Sequence, residues 1–236
     1  FLSFSGFAQF PTPGIEGFEG TSGADLAAPT TPSPWTLGTG VTGNQWAVFD
    51  NGVGLNQRWT INNGTGTPPT PPLVYACTNA AYMNRENIGI NNTSEDYLAT
   101  PLITVPTNGQ LRFYSRTFTL GNQGTIYQVK VNTVAGTQTN TANYTTLLAE
   151  YTEDQLTLNP QGVQQDYNIY TEKVIDFPAA LIGQQVYVAF VMKFTQTTTG
   201  IGGDRWLLDD VRVDEKCLNP TTLTATGLLF NHATLS

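Results

Sequence analysis

Arg205 to Val213, RWLLDDVRV, sets an acidic pair into a run that otherwise reads as a core β-strand. Side chains alternate along a strand, which puts Leu207, Asp209, Val211 and Val213 on one face and Trp206, Leu208, Asp210 and Arg212 on the other. One carboxylate therefore shares the more apolar face. A buried carboxylate without a partner is costly, so Asp209 is expected to be hydrogen-bonded, ion-paired or bound to a metal.

The other residues capable of chemistry are few. The only histidine is His232, far along the chain, so a Ser/His/Asp triad, a Cys/His pair and a His-ligated zinc are all excluded before it. Cys77 and Cys217 are too far apart in sequence for a zinc or redox motif, and one disulfide or two buried thiols both remain open. Glycoside hydrolysis needs two carboxylates facing each other across a cleft. Carboxylates such as Glu95, Asp96, Glu150, Glu153, Asp154 and Asp166 are so numerous that a suitable pair arises by chance, and no catalytic residue is assigned. The glycines of Gly200 to Arg205, GIGGDR, precede a strand, whereas a phosphate-binding loop follows a strand and opens a helix. Rings that stack on sugars are a separate possibility: Trp46 and Trp59, near loops, are the ligand-binding candidates, and Tyr144, Tyr151, Tyr167 and Tyr170 form a later cluster. Large aromatics more often fill a core.

Strands must position these groups. Leu111 to Leu120 and Asn168 to Phe177 alternate as half-buried strands, and Gln185 to Phe194 is apolar on both faces, as in a central strand of a buried sheet. Leu73 to Asn84 and Tyr97 to Thr100 also read as strands, and Gly121 to Gly124 reads as a hairpin connection into a strand over 125–133. Thr21 to Pro34 and Gly64 to Pro72 are Pro/Thr/Gly loops. About a dozen short strands with almost no helical periodicity predict an all-β, two-sheet jelly-roll sandwich.

At 236 residues the chain can bury a full core, and its charge of -8 leaves no basic patch for nucleic acid. No run is long enough to span a membrane. Many Thr, Asn, Gly and Gln residues with 11% aromatics suit a secreted β protein. Residues 1–8 are expected to be a signal-peptide remnant, residues 9–214 the sandwich, and residues 215–236 a linker and the start of a second β domain.

Phe18 to Gly20 (FEG), Trp35, Tyr82 to Asn84, EDYLATPLI at 95–103, GQLRFYSR at 109–116 and WLLDDVRV follow one another in order. The set resembles the choice-of-anchor J or cleaved-adhesin jelly-roll domains of secreted Bacteroidetes proteins, and more distantly the MAM domain. The tail, CLNPTTLTATGLLFNHATLS, resembles the opening of a fibronectin type III domain at Pro220, Leu223, Ala225, Ala233 and Leu235. The resemblance implies a structural calcium where first and last strands lie side by side, with Glu19 and Asp209 as ligands and Asp210 as the third. The alternative is that Asp209 accepts backbone hydrogen bonds while Glu19 pairs with Arg205 or Arg212.

The implied function is a non-catalytic recognition or adhesion module of a larger secreted or cell-surface protein, exported by the type IX route of the look-alike family. It would bind glycan or protein and sit beside further domains of the same chain. Two rivals stand: an accessory domain of a hydrolase, and a structural spacer or filament subunit.

Overall fold

The computed structural model describes residues 15–18, 35–36, 45–54, 58–62, 73–76, 79–200, 202–216, 225–229 and 232–235. In chain order the strands are β1 (Ile15–Glu16), β2 (Trp35–Thr36), β3 (Gln45–Asp50), β4 (Thr60–Asn62), β5 (Ala80–Met83), β6 (Thr93–Ala99), β7 (Ile103–Thr104) and β8 (Gly109–Arg116). They continue with β9 (Thr125–Asn132), β10 (Thr146–Thr152), β11 (Thr171–Asp176), β12 (Gln185–Thr195), β13 (Trp206–Glu215), β14 (Ala225–Leu229) and β15 (His232–Leu235). A single helical turn, α1 (Glu153–Leu156), follows β10, closed by a capping box between Thr152 and Gln155.

Two antiparallel sheets form the expected sandwich. One runs β11-β8-β13-β5-β4, with β1 also on β13; the other runs β10-β9-β12-β6-β3-β2, with β7 also on β12. Strand β13 carries β8 along one edge and, along the other, first β5 at Trp206 to Leu208 and then β1 at Val211 and Arg212. The first and last strands of the sandwich are therefore neighbours. Among the described residues, β14 and β15 pair only with each other.

The core lies between the sheets. Phe190 of β12 packs against Trp46, Phe113 and Trp206, and Trp206 in turn meets Trp59 and Tyr127, with centroids 5.0–6.3 Å apart. Such tilted and edge-on contacts between large rings add to their burial. β12 is apolar on both faces for a reason: Val186, Val188, Phe190 and Met192 enter this core, while Tyr187, Ala189 and Val191 pack with Tyr97, Ala99 and Tyr144 on the far side of their sheet. Residues 134–144 cover that far side, tied down by Tyr144 to the Gln138 carbonyl (2.6 Å) and Gln138 to the Thr100 carbonyl (2.8 Å).

Three local expectations change. The strand expected over Leu111 to Leu120 ends at Arg116. Among the described residues of the stretch expected to be strand from Leu73, Ala80–Met83 is strand and Leu73 to Ala76 is bent chain. The connection after β8 is not a hairpin, because β8 and β9 belong to different sheets and the chain crosses from one layer to the other there. Gly121 and Gly124 take positive φ in that crossing, as they would in a hairpin turn, so the turn residues could not distinguish the two.

Candidate functional site

The acidic pair sits at a β-bulge. β13 pairs with β8 through Asp209 opposite Tyr114, and the next match is Arg212 opposite Arg112, which leaves Asp210 and Val211 sharing one position of the partner strand. Asp210 takes the left-handed conformation, φ 47. Alternation holds up to Asp209 and then slips: Val211 joins Trp206 and Leu208 in the core, not the face of Leu207 and Asp209.

Asp209 is fully buried on the outer face of its sheet. Its Oδ2 accepts the backbone N–H groups of Tyr75 (2.8 Å) and Ala76 (3.0 Å), and its Oδ1 accepts that of Asp210 (2.8 Å). Burial pushes the carboxyl up to about 7; the three N–H donors pull it down and the Asp210 charge adds to the rise. The carboxylate thus pins the bent chain at Tyr75 and Ala76 onto the sheet, in the role of backbone acceptor.

Of the expected calcium ligands, Asp209 and Asp210 are adjacent here, while Glu19 lies outside the described residues. The chain leading to it does run along β13, with Ile15 opposite Arg212 and Glu16 opposite Val211. Among the described residues no three or more His, Cys, Asp or Glu side chains gather to hold a metal. Arg212 bonds Glu172 (2.9 Å) and Asp214 (2.8 Å), and Arg205 donates to Asn84 Oδ1 (2.8 Å). Cys77, Cys217 and residues 1–8 also lie outside the described residues.

Trp46 and Trp59 are not surface rings. They are 1% and 0% exposed, in contact with Phe18 and Phe190 and with Trp206 respectively, and the Trp59 indole donates to the Asp96 carbonyl (3.0 Å). Their size and apolar area draw them into the core, which corrects their assignment as sugar-stacking candidates. Of the tyrosine cluster, Tyr144 is buried, and the Lys173 ammonium lies 5.5 Å from the centroid of the Tyr151 ring. Tyr167 lines a cavity.

That cavity, of about 420 Å³, opens at one end of the sandwich. Its walls are Thr117 to Gly121 after β8, Glu153, Asp154 and Thr157 at α1, and Gln164 to Tyr167 before β11. The walls are braced from behind. Asp204, fully buried, accepts the N–H groups of Phe118 (3.1 Å) and Thr119 (2.8 Å). Glu153 accepts those of Gln123 (2.6 Å) and Thr125 (2.8 Å), and burial raises its carboxyl against those donors. Both oxygens of Glu153 are engaged inward, so it anchors the loop. Thr157 donates to the Asp154 carbonyl (2.9 Å) and receives the Gln164 amide. Facing the opening are hydroxyls, amides, the carboxylates of Asp154 and Asp166, one phenol and Leu120, a set that hydrogen-bonds polar ligands and holds no imidazole or thiol. The sequence signalled it only indirectly, since residues 153–167 are mostly polar and lie between two strand candidates.

A family model described as the Cleaved Adhesin Domain matches residues 36–213. A curated relative, Hemagglutinin A of Porphyromonas gingivalis, is 32% identical over 178 residues, which is 72% of this chain and 6% of that protein. The chain thus spans a small part of that relative's length. Among solved structures, the K2 cleaved adhesin domain of Lys-gingipain aligns with TM-score 0.51 and 17% identity over 85% of this chain and 98% of that one. The K1 domain of Lys-gingipain from Porphyromonas gingivalis W83 aligns with TM-score 0.48 and 22% identity over 73% and 91%. The K2 likeness is one of fold.

Proposed function

Since the chain belongs to the cleaved adhesin domain family, we propose that it is a non-catalytic recognition module of a larger secreted or cell-surface protein, and that the loop-end cavity takes an extracellular glycan. The observation that carries the reading is the cavity wall itself: hydroxyl, amide and carboxylate groups around one tyrosine, in a volume within the range of small-ligand sites, about 300–1,000 Å³. Its placement supports the same reading. Chain entry at β1 and exit after Glu215 lie together at the end of the sheet where β8 begins, as the pairing of Ile15 with Arg212 and of Glu215 with Gly109 requires. The cavity lies at the opposite end, where β8 stops and β11 starts, away from Ile15 and Glu215. The β14–β15 hairpin suits the start of such a neighbour, of fibronectin type III kind. No helix among the described residues is long and apolar enough to cross a membrane.

A glycan array with the intact chain tests the proposal. Tyr167→Ala and Gln164→Ala should each weaken whatever glycan binds, by about tenfold. An array without signal, or variants that bind like the wild type, would rule the cavity out and return the ligand to the protein class, or the domain to an accessory or spacer role.

A structural calcium on Glu19, Asp209 and Asp210 is the second part of the proposal. Its support is a buried carboxylate whose Oδ1 takes one N–H and keeps a second lone pair, beside a second acid, on the strand that β1 adjoins. Added calcium should raise the melting temperature and chelator should lower it; identical melting in both conditions removes it.

A further inference from the structure

The outer face of the sheet holding β13 carries a second feature that the loop-end cavity does not use. Tyr75 lies flat on Tyr114, with centroids 3.6 Å apart and planes 11° from parallel, and Tyr170 meets Tyr75 at 5.8 Å and 58°. Tyr75 remains 43% exposed although its far face is covered by Tyr114. Each ring is held in place by something other than the stack. The Tyr75 backbone is pinned by Asp209, the Tyr170 hydroxyl donates to the Leu73 carbonyl (2.8 Å), and the buried Arg116 guanidinium sits 5.7 Å from the Tyr170 ring. Tyr114 stands in the sheet between Glu172 and Asp209.

A polar rim adjoins the rings. Glu172 Oε1 accepts from Arg112 (2.8 Å) and from Arg212 (2.9 Å), with both guanidinium groups partly open to water. The Tyr75 hydroxyl is pushed up to about 12, first by its hydrogen bond with the Tyr114 side chain, then by burial and by the charges of Asp210 and Glu172. Tyr114, on which Tyr75 lies, stands directly opposite Glu172 in the sheet, which puts the rim beside the stacked pair.

We infer that Tyr75, on its Tyr114 and Tyr170 support, is a stacking subsite for one pyranose ring of a glycan, whose hydroxyls meet the Arg112–Glu172–Arg212 rim. A sugar presents an apolar face of C–H groups with hydroxyls around its edge, which matches a rigid ring bordered by fixed donors and acceptors. A protein partner fits less well. Stable interfaces cover about 800 Å² on each side, and among the described residues at this edge the other large exposed apolar side chains are Val174 and Ile169. Preorganisation is the third support: a ring already clamped loses little freedom when a ligand lands on it. The subsite goes beyond the cavity proposed above and stands or falls separately from it.

Affinity electrophoresis and calorimetry with cellohexaose, xylohexaose, chitohexaose and mannohexaose provide the test, using the intact chain. At least one hexaose should bind the wild type; Tyr75→Ala should lose about tenfold or more in affinity, and Tyr75→Phe should stay within about threefold. As a measure independent of any variant's folding, that hexaose should slow dose-normalised hydroxyl-radical oxidation of the exposed Tyr75 ring, read by mass spectrometry, at least about threefold in the wild type. Binding lost in Tyr167→Ala but kept in a folded Tyr75→Ala, with Tyr75 unprotected, leaves the cavity standing and overturns the subsite. The reverse pattern supports the subsite and removes the cavity. No binding by any of the four sugars overturns it as well.

Discussion

Leu208 and Val211 face the same core although they lie three positions apart in one strand. A regular strand would send them to opposite faces. The bulge at Asp210 makes up the difference by placing two residues of β13 opposite one of β8. It lets the strand present Trp206, Leu208 and Val211 inward and still keep Asp209 outward, over the bent chain at Tyr75.

Asp210 holds φ 47, a conformation that β-branched residues resist. Asp210→Gly should leave stability within about 0.5 kcal/mol, and Asp210→Val should cost about 1–3 kcal/mol. Urea denaturation of the two variants measures both.

Asp209→Ala should cost about 2–4 kcal/mol, because three N–H donors lose their acceptor at once. Hydrogen exchange at the Tyr75 and Ala76 amides should accelerate well beyond that of the β12 amides.

The same carboxyl sets a pH dependence. Its folded value, about 7, lies above the ordinary 3.8, so its contribution to stability is complete below about 3.8 and is lost as pH rises through 7. Each pH unit of that window costs up to about 1.4 kcal/mol. Denaturation between pH 4 and pH 8 should show this loss in the wild type and not in Asp209→Asn. Calcium bound at Asp209 would favour the ionised form and flatten the slope.

Trp59→Ala should cost about 3–5 kcal/mol, since it opens a space beside Trp206 and frees the Asp96 carbonyl. Any loss of ligand binding should follow the loss of folded protein and disappear once corrected for it.

Asp204→Ala should both destabilise the chain, by about 2–4 kcal/mol, and weaken ligand binding at temperatures where it remains folded. The carboxylate touches no cavity opening; it holds the Phe118 and Thr119 amides that shape the cavity wall. Calorimetric titration well below the melting temperature separates the two effects.

Local periodicity was enough for the sandwich and the buried centre of β12, because alternation and apolar runs are encoded within a few residues. It was enough for Asp209 too, whose need for hydrogen bonds follows from a carboxylate in an apolar strand. The bulge escaped it, since Asp210 carries no glycine to mark a left-handed turn. The crossing after β8 escaped it because glycine and asparagine serve a turn within one sheet and a passage between two alike. Trp46 and Trp59 sit beside loops in sequence and inside the core in space, a distinction that only long-range pairing settles. Gly202 was legible as a glycine without its reason: a Cβ there would come within 2.6 Å of the Phe194 ring. The cavity and the tyrosine stack each join segments more than 30 residues apart, and no local pattern reports that.

The pairing of β1 with β13 fixes how the domain would behave under tension. Entry and exit leave the same end of the sheet on neighbouring antiparallel strands, so a pull between flanking segments bears on the Ile15–Arg212 end first. Bonds at that seam open one after another, as in a zipper, and do not resist together in shear. Under flow, such a module would yield first at the seam through which it is tethered, while the opposite end keeps its shape.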